Sequence, residues 1–471
     1  MTTNPTFERA LKGMIWLYLV LLIFEGALRK WILPGLSTEL LIVRDPVVIV
    51  IYLLAMSCKR FPINAFIMVD VFLAIGCAIG GLFSPDSNFL VTIIGLRCYF
   101  LHLPLIFVME KTLDRDDVFR MGKLILWVSL PITVLLVDQF YSPQTAWVNL
   151  DVGGNVVLGM SGALGHFRPS ATFSFTTGVS EFYPVVLAML LGFLISRKKL
   201  SLVLTIAAGL CVLIAIPFSI SRTNFLTCAI VLVVALLSLL VLPKPPMLVA
   251  RVLVIAGALA LIVPWLGFLG DGMKVFKERW TMSTGEDVEG FQKNIVDRAM
   301  GDVLVPSDYF LDNDSIMGEG VGYGTNMAQA YMTGKRNFVL GESEWPRALL
   351  EMGPVLGAIF ICLRVALSAR MLIFSLLALR RENVLPILIC VDGFLLILNS
   401  QWGQPTTLGF AMFTAGLTFA AANLPEAAPA PAKPARRPVK RWSPRSREPW
   451  RPLGAPRPGP DALPPLTGST P

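Results

Sequence analysis

The sequence contains repeated apolar runs, each about as long as a helix needs to cross a lipid bilayer. A hydrocarbon core roughly 30 Å thick requires about 20 apolar residues in a helix. Because lipid offers no hydrogen-bond partner to an exposed backbone, such runs predict helices. We count about twelve runs on length and apolarity, near residues 10–28, 40–57, 64–83, 89–109, 122–140, 179–196, 200–219, 223–242, 247–268, 348–369, 384–400 and 405–423. The sequence therefore predicts an all-α, polytopic membrane protein.

Composition and cysteine placement argue against several other classes. Of 471 residues, 55% are hydrophobic, which is too apolar for a soluble domain of this length. The net charge of +8 has its excess concentrated in the Pro- and Arg-rich tail, which we expect to contact anionic lipid and not nucleic acid. The seven cysteines fall within apolar runs or at their ends, which favours neither disulfides nor a zinc site. No metal and no cofactor are predicted.

Lysine and arginine accumulate in alternate short loops, and this asymmetry predicts the orientation of the chain. The positive-inside rule places both termini in the cytoplasm and two long loops, 141–178 and 269–347, on the extracytoplasmic face. The transmembrane domain is predicted to span 1–423. Residues 424–471 are predicted to form a disordered cytoplasmic tail, because their composition cannot build a core.

Arginines recur on the predicted outer face, where the chain enters or leaves the membrane. They are Arg168, Arg222, Arg298 and Arg347. Arginine presents a planar fork of donors that suits phosphate oxygens and stays charged at any relevant pH. Two arginines from separate loops at the bilayer surface could hold a lipid-linked pyrophosphate. The alternative for any one of them is an interface anchor that pairs with a lipid head group or a local carboxylate.

Candidate proton acceptors lie beside these arginines. Glu342 and Glu344 precede a span within "GESEWPRALLEMGPVLG", and His166 lies two residues before an arginine. Partial burial raises the basicity of a carboxylate, so either glutamate could act as a general base on an acceptor hydroxyl. Trp345 offers an apolar face on which a sugar ring could stack; the alternative is an ordinary residue of the aromatic belt.

Three further features have structural interpretations. Arg29 and Lys30 break the charge pattern, and we expect them to be anchors that snorkel to the interface. Charges inside spans pair internally, and we expect Asp70 to pair with Arg97 on the next span. The stretch "GEGVGYGTN" resembles a phosphate loop only superficially, because it lacks the Lys-Ser/Thr ending, and we expect a flexible loop.

These motifs, in this order, resemble the superfamily of O-antigen polymerases and ligases, which are membrane glycosyltransferases. "HFRPSATFSFTTGVSEF" is similar to the family's Arg-containing entry to a middle span, and "SISRTNFLTCAIV" to its Ser-Arg turn. The large outer loop follows, and "GESEWPRALLEMGPVLG" resembles the segment that leads into a late span with Glu-x-Gly, here Glu351 and Gly353. The resemblance covers roughly 160–370 and rests on order and topology.

The resemblance implies a GT-C-like fold in the bacterial cytoplasmic (inner) membrane and a metal-independent transfer on its outer face. A sugar chain would move from undecaprenyl pyrophosphate to an acceptor sugar, with Arg168 and Arg222 at the pyrophosphate. Flippase and chain-length regulator proteins would be the protein partners. Ligases of the family carry a histidine where this chain has Glu342. That departure favours a polysaccharide polymerase over an O-antigen ligase.

Two other classes remain as alternatives at the level of sequence. A secondary transporter fits the number of spans and the intramembrane charges, but we find no repeated halves in the sequence. A structural subunit of an export complex is the second alternative, and it predicts no large cavity at the outer leaflet.

Overall fold

The computed structural model describes residues 5–83, 88–157, 159–242, 267, 269–284, 318–325 and 344–423. Within these ranges the chain is all-helical and contains no β-strand, which confirms the predicted all-α class. The helices are α1 (Pro5–Ala27), α2 (Arg44–Ser57), α3 (Ala65–Phe83), α4 (Phe89–Leu96), α5 (Pro104–Thr112), α6 (Arg115–Tyr141), α7 (Thr177–Ile195), α8 (Leu202–Phe218), α9 (Arg222–Val241), α10 (Leu269–Thr284), α11 (Glu344–Arg380), α12 (Leu385–Asn399) and α13 (Pro405–Asn423).

Short helical turns extend or connect several of these helices. One π-helical turn, Leu28–Ile32, continues α1, and another, Arg97–Leu101, lies between α4 and α5. Three 3₁₀ turns lie at Pro34–Leu36, Glu39–Ile42 and Trp147–Asn149. The predicted loop 141–178 contains the last of these turns and is otherwise irregular between α6 and α7, whereas the predicted loop 269–347 begins with α10.

Nine helices in the described ranges are long and apolar enough to cross a membrane, and the shorter α8 and α12 are also apolar. Together they coincide with eleven of the predicted runs. The remaining run, 247–268, lies almost entirely outside the described residues. The chain therefore has the character of a multi-pass membrane protein, and the count of about twelve spans stays a prediction.

The helix α13 lies at the centre of the bundle. In its apolar window 94% of the residues are buried, against 33% in the corresponding window of α9. It packs against α5, α11 and α12, and the outward side chains of α3, such as Met68 and Phe72, are apolar and exposed. An apolar periphery around a buried central helix is what a lipid-embedded bundle requires.

The bundle has two distinct ends. The loop end is where α1 ends and α7 begins: Arg29 Nη1 donates to Ser174 Oγ (3.0 Å), and Thr177 lies 3.4 Å from Gln404. The opposite end is held by ion pairs between helix termini, including Lys12 with Asp114 (2.6 Å). The first set of contacts positions the candidate site.

Candidate functional site

A cavity lies at the loop end, between the last turn of α6 and the loop that joins α6 to α7. Its volume is about 130 Å³. Gln139 of α6 lines the wall, and Asp151, Arg168, Ser170 and Ser174 of the loop line it together with several other loop residues. One cationic fork, one carboxylate and several hydroxyl and amide groups therefore face the same space.

The loop wall of the cavity is held tightly against α1. A Cβ added at Gly26 would lie 2.2 Å from the backbone carbon of Phe173, so only glycine allows this approach. Thr172 Oγ1 donates to the Ile23 carbonyl oxygen (2.8 Å), and the backbone N–H of Ala171 donates to Gln139 Oε1 (2.7 Å). The backbone on both sides of Ser170 and Ser174 is thereby fixed, and so are the positions of the two hydroxyls.

Two buried cations from the end of α1 hold these hydroxyls. Lys30 Nζ donates to Ser170 Oγ (2.6 Å) and to the Ala171 carbonyl oxygen (3.2 Å). Arg29 Nη1 donates to Ser174 Oγ (3.0 Å). A hydroxyl whose oxygen accepts from a cation keeps its own hydrogen for donation. Two oriented O–H donors therefore line the cavity, with positive charge directly behind them.

These cations belong to a buried cluster that we call the first charge network. Its members are Glu25, Arg29, Lys30, Arg44, Asp45, Arg97 and His102. The Glu25 carboxylate accepts from Arg29 (3.2 Å) and from Arg44 (3.0 Å). Asp45 accepts from Arg97, and its other oxygen lies 3.0 Å from His102 Nε2. Tyr18 adjoins the network, with its hydroxyl 3.3 Å from His102 Nδ1 and its ring beneath Arg44.

The first charge network carries more positive than negative charge. Arg29, Lys30, Arg44 and Arg97 are its four cations, Glu25 and Asp45 are its two carboxylates, and Asp151 of the cavity wall is a third carboxylate that acts on Lys30. Uncompensated charge in a bundle of low dielectric constant is costly, so a surplus of cations favours an anion nearby. Two of these cations, Arg29 and Lys30, lie directly behind the cavity wall at the loop end. This placement makes the cavity a candidate anion-binding site.

Two expectations from the sequence are wrong here. Arg29 and Lys30 do not snorkel to an interface, because they are only 4% and 2% exposed and bind other parts of the chain. Arg97 pairs with Asp45 and not with Asp70, whose Oδ1 has no hydrogen-bond partner among the described residues. Asp45 lies in the first turn of α2, where it reaches Arg97 of the π-helical turn.

A small hairpin carries His166 and leads into Arg168. Ser161 and Phe167 form an isolated antiparallel bridge, and the Gly162 N–H donates to the His166 carbonyl oxygen (3.0 Å). The His166 ring stacks on Phe140 with centroids 4.2 Å apart, and it is half-buried. The residues that line the cavity include Phe167 and Arg168 but not His166.

Arg222 begins α9 on the other side of this hairpin. Ser221 caps the helix by accepting from the Asn224 N–H (3.3 Å), and its hydroxyl lies 2.7 Å from Ser180 Oγ on α7. Ile220 contacts the hairpin so closely that a Cβ at Gly162 would lie 2.8 Å from it. Arg222 is half-buried at the loop end but is not among the residues that line the cavity. The convergence of Arg168 and Arg222 on one ligand stays a prediction.

A second charge network joins α11 to the centre of the bundle, and its members are Glu344, Arg347, Glu351 and Arg364. The Glu344 carboxylate accepts from Arg347, from Arg364 (2.7 Å) and from the Trp402 N–H (3.3 Å). Arg364 also lies over the Trp402 ring, 4.2 Å from its centroid. All four charged residues are at most 2% exposed. Two cations face two carboxylates, so this network is balanced.

The glycine-rich stretch 318–325 folds onto the second charge network. The N–H groups of Gly322 and Gly324 donate to the Glu351 carboxylate (2.7 and 2.8 Å). Pro354 lacks an N–H, so the Leu350 carbonyl loses its helical partner and accepts from the Glu319 N–H instead (2.8 Å). The expected flexible loop is wrong for these residues, which are mostly buried and hydrogen-bonded. The backbone N–H groups do bind an anionic group, and it is a carboxylate of the same chain.

The structure therefore separates the predicted site residues into groups. Arg168 lines the cavity, His166 and Arg222 lie beside it, and Glu344 and Arg347 lie together inside the second charge network. Trp345 is 8% exposed and its Nε1 donates to the Leu398 carbonyl oxygen (3.0 Å), which is a packing arrangement. Glu342 and Arg298 lie outside the described residues. The catalytic and ligand-binding roles of all these residues stay predictions.

Sequence reasoning did not identify Lys30, Arg29, Ser170 and Ser174 as site residues. One signal was available, because Glu25 precedes Arg29 by four residues and so shares its helix face. A carboxylate one turn away indicates internal pairing and not a lipid interface. Nothing in the sequence marks the two serines, because their importance comes from contacts about 140 residues apart.

The cavity combines an arginine fork, two oriented hydroxyls and a surplus of positive charge. Such a set of donors suits an anion with several oxygens, such as a phosphate or a carboxylate. Among the described residues no group of histidines, cysteines and carboxylates could hold a metal ion. Comparison of the whole chain with protein-family models and with curated proteins gave no match.

Proposed function

We propose that this protein is a membrane glycosyltransferase of the polysaccharide-polymerase type. It would transfer oligosaccharide units from a lipid pyrophosphate carrier to an acceptor sugar. The observation that carries the proposal is the surplus of buried cations behind the cavity that Arg168 lines. An internal scaffold needs no such surplus, whereas a site for a multiply charged anion does.

The proposed reaction uses this positive charge on the leaving group. The acceptor hydroxyl oxygen attacks the anomeric carbon, and the bond from that carbon to the pyrophosphate oxygen breaks. Negative charge then grows on the pyrophosphate, where Arg168, Arg222 and the hydroxyls of Ser170 and Ser174 would stabilise it. Lys30 and Arg29 act as positioning residues, because they hold the hydroxyls and supply long-range positive potential.

A general base has to accept the proton of the acceptor hydroxyl. His166 is half-buried at the loop end beside the cavity, and its Nδ1 lies 3.3 Å from the Phe140 carbonyl oxygen. Glu344 is fully engaged by two arginines and a backbone N–H, so its contribution would be to hold α11 in place. Glu342 lies two residues before it in the chain. We therefore assign the base to His166 or Glu342 and a positioning role to Glu344.

The proposal includes an orientation and a cellular setting. The loop end would face outward from a bacterial cytoplasmic membrane, with both chain termini on the inner side, as the Lys/Arg asymmetry of the loops predicts. About twelve spans in a GT-C-like arrangement, with 141–178 and 269–347 outside, would complete the topology. A ligase reaction with another acceptor uses the same site, and the acceptor alone distinguishes the two.

The test compares arginine and lysine at the predicted pyrophosphate positions. Arg168→Lys and Arg222→Lys keep the charge but lose the fork, so each should lose about 2–3 kcal/mol of transition-state stabilisation. The measurement is polymer formation from lipid-linked repeat units in membranes of a host lacking its own gene. Arg120→Lys is the matched control, because that side chain is 63% exposed at the opposite end. Full activity in both lysine variants would overturn the proposal.

A further inference from the structure

Two carboxylic acids lie deep in the bundle, away from both charge networks. Glu181 on α7 is 7% exposed and Asp392 on α12 is 4% exposed. Glu181 Oε2 and Asp392 Oδ2 have no hydrogen-bond partner among the described residues. The helices α7 and α12 pack against each other, and the two carboxyl groups are close enough to interact electrostatically. No part of the proposed transfer reaction uses them.

Among the described residues, no cation bonds to this pair. The charged or titratable groups that act on the pair from neighbouring helices are Arg44 on α2 and Cys228 on α9. Arg44 is bonded to Glu25 and its Nη2 donates to the Pro405 carbonyl oxygen, while its Nη1 has no hydrogen-bond partner among the described residues. The pair thus differs from Glu25, Glu344 and Glu351, each of which accepts from cations or backbone N–H groups.

Physical chemistry then restricts the state of these two groups. An ionised carboxylate without a cation or several hydrogen-bond donors is too costly in a low-dielectric interior, and the group neutralises instead. A charge on Asp392 would oppose ionisation of Glu181 further, because like charges repel each other. The occupant that satisfies both groups is a proton on each, since a proton needs no ligand shell.

A line of polar side chains connects Glu181 with the loop end. Thr407 Oγ1 donates to Glu181 Oε1 (2.6 Å), and Thr407 Oγ1 lies 3.5 Å from Thr177 Oγ1. Thr177 Oγ1 lies 3.4 Å from Gln404 Oε1, and Gln404 is half-buried in the turn before α13. Hydroxyls both donate and accept hydrogen bonds, so each threonine can exchange its donor and acceptor roles when Glu181 carries a proton. Asp392 has no such line among the described residues.

From this geometry we propose that Glu181 and Asp392 form a proton-binding site inside the bundle, and that Thr407 and Thr177 connect Glu181 to the loop end. Both acids are neutral at neutral pH. Glu181 exchanges its proton with water along the threonines, and Asp392 exchanges more slowly. The site does not depend on the proposed glycosyl transfer, because none of its residues lines the cavity.

The experiment is infrared spectroscopy of the full-length protein in lipid nanodiscs, in H₂O and after transfer to D₂O. Protonated carboxyl groups give C=O bands that carboxylates lack, and each band shifts when its proton is replaced by deuterium. We expect Glu181→Gln and Asp392→Asn each to remove one such band at neutral pH. Thr407→Val should slow the deuterium shift of the Glu181 band several-fold and leave the Asp392 band unchanged.

Asp70 supplies the internal control. It is also buried, on α3, with one oxygen unpartnered among the described residues, and Asp70→Asn should remove a band that Thr407→Val does not affect. If Glu181→Gln and Asp392→Asn remove no protonated band, the acids are ionised and the proposal is wrong. If their bands appear only when Na⁺ is replaced by a large organic cation, the site binds sodium, which also overturns it. Equal exchange rates in wild type and Thr407→Val would refute the threonine route.

Discussion

Both charge networks pair buried arginines with carboxylates, yet their charge balance differs. The second charge network sets two arginines against two glutamates, and every partner is inside the bundle. The first charge network sets four cations against two carboxylates of its own and Asp151 of the cavity wall, and it places two of those cations behind that wall. Both networks are buried, so burial alone does not distinguish a structural ion cluster from a binding site.

The difference in charge balance indicates a structural role for the second charge network and a ligand-binding role for the first. A balanced network satisfies itself, so its effect is to fix α11, the glycine-rich stretch and the turn at Trp402 relative to one another. An unbalanced network is complete only when an anion is nearby. We therefore expect substitutions in the second charge network to affect stability first, and those in the first charge network to affect ligand binding first.

Removing one arginine from the balanced network should have the largest effect on stability. Arg364→Leu leaves the Glu344 carboxylate short of its partner at 2.7 Å, and breaking a buried pair costs about 3–5 kcal/mol. The measurement is the midpoint temperature of unfolding in detergent, followed by size-exclusion chromatography. Glu344→Gln combined with Arg364→Leu should recover part of the loss, because no unpaired charge remains. An Arg364→Leu protein as stable as Arg120→Leu would contradict the structural role.

A substitution in the glycine-rich stretch 318–325 should cause the next largest loss of stability. Gly322 has φ of +102°, and an added Cβ would lie 2.3 Å from the Val91 carbonyl oxygen of α4. Gly322→Ala should therefore destabilise the protein by about 1–3 kcal/mol and release the stretch from Glu351. Limited proteolysis within 318–325 should accelerate. The control is Gly13→Ala, because no atom lies within 4 Å of a Cβ at that position of α1.

Substitutions in the first charge network should reduce ligand binding more than they reduce stability. Lys30→Met removes one surplus cation, so the loss of stability should be only about 1–2 kcal/mol, mainly from the lost bond to Ser170. Binding of undecaprenyl pyrophosphate in nanodiscs should weaken about tenfold, which corresponds to about 1.4 kcal/mol. Lys12→Met in α1, which the turn of Lys30 continues, is the matched control, since Lys12 pairs with Asp114 at the opposite end. Equal binding in the two variants would remove the reason to call the cavity an anion site.

The sequence predicted the helices well because the bilayer determines their length and apolarity. Eleven of the predicted runs coincide with α1 to α9 and α11 to α13, and the single run 89–109 corresponds to both α4 and α5. The partners of the buried charges were not predictable in the same way. Arg97 could reach Asp45 or Asp70 as far as sequence spacing shows, and packing of helices about 50 residues apart decides between them.

The cavity was the least predictable feature. Arg168 was identified because arginine beside a predicted span is a chemical signal in itself. Ser170, Ser174 and Lys30 acquire their significance only when the loop folds onto α1, and Gly26 permits that approach. The fold of 318–325 was missed for a related reason: glycine-rich sequence indicates flexibility unless a partner such as Glu351 is known.

The ion pair of Lys12 and Asp114, at the opposite end of the bundle, is partly exposed to solvent and can be compared with the two buried networks. Asp114 caps α6 by accepting from the Asp117 N–H (2.8 Å), and Lys12 Nζ donates to its carboxylate (2.6 Å). Partial burial acts to raise the pKa of Asp114, but the hydrogen bonds from Lys12 and the Asp117 backbone outweigh it and lower the pKa from 3.8 to about 2. The Asp114 side chain is 53% exposed, so solvent screens most of this interaction.

Of the predicted changes in stability, the pH dependence that comes from the Lys12–Asp114 pair should be the smallest. Because the folded-state pKa is depressed, the contribution of Asp114 is complete above its unfolded pKa of about 3.8 and is lost as the pH falls toward about 2. After allowance for screening, the loss should be below about 1 kcal/mol. Asp114→Asn keeps a capping side chain but removes the titration. Unfolding midpoints of wild type and Asp114→Asn, measured from pH 5 to pH 2, should converge at the acid end and separate slightly at the neutral end. High salt should reduce that separation, whereas the effect of Arg364→Leu should persist, because the buried network is poorly screened.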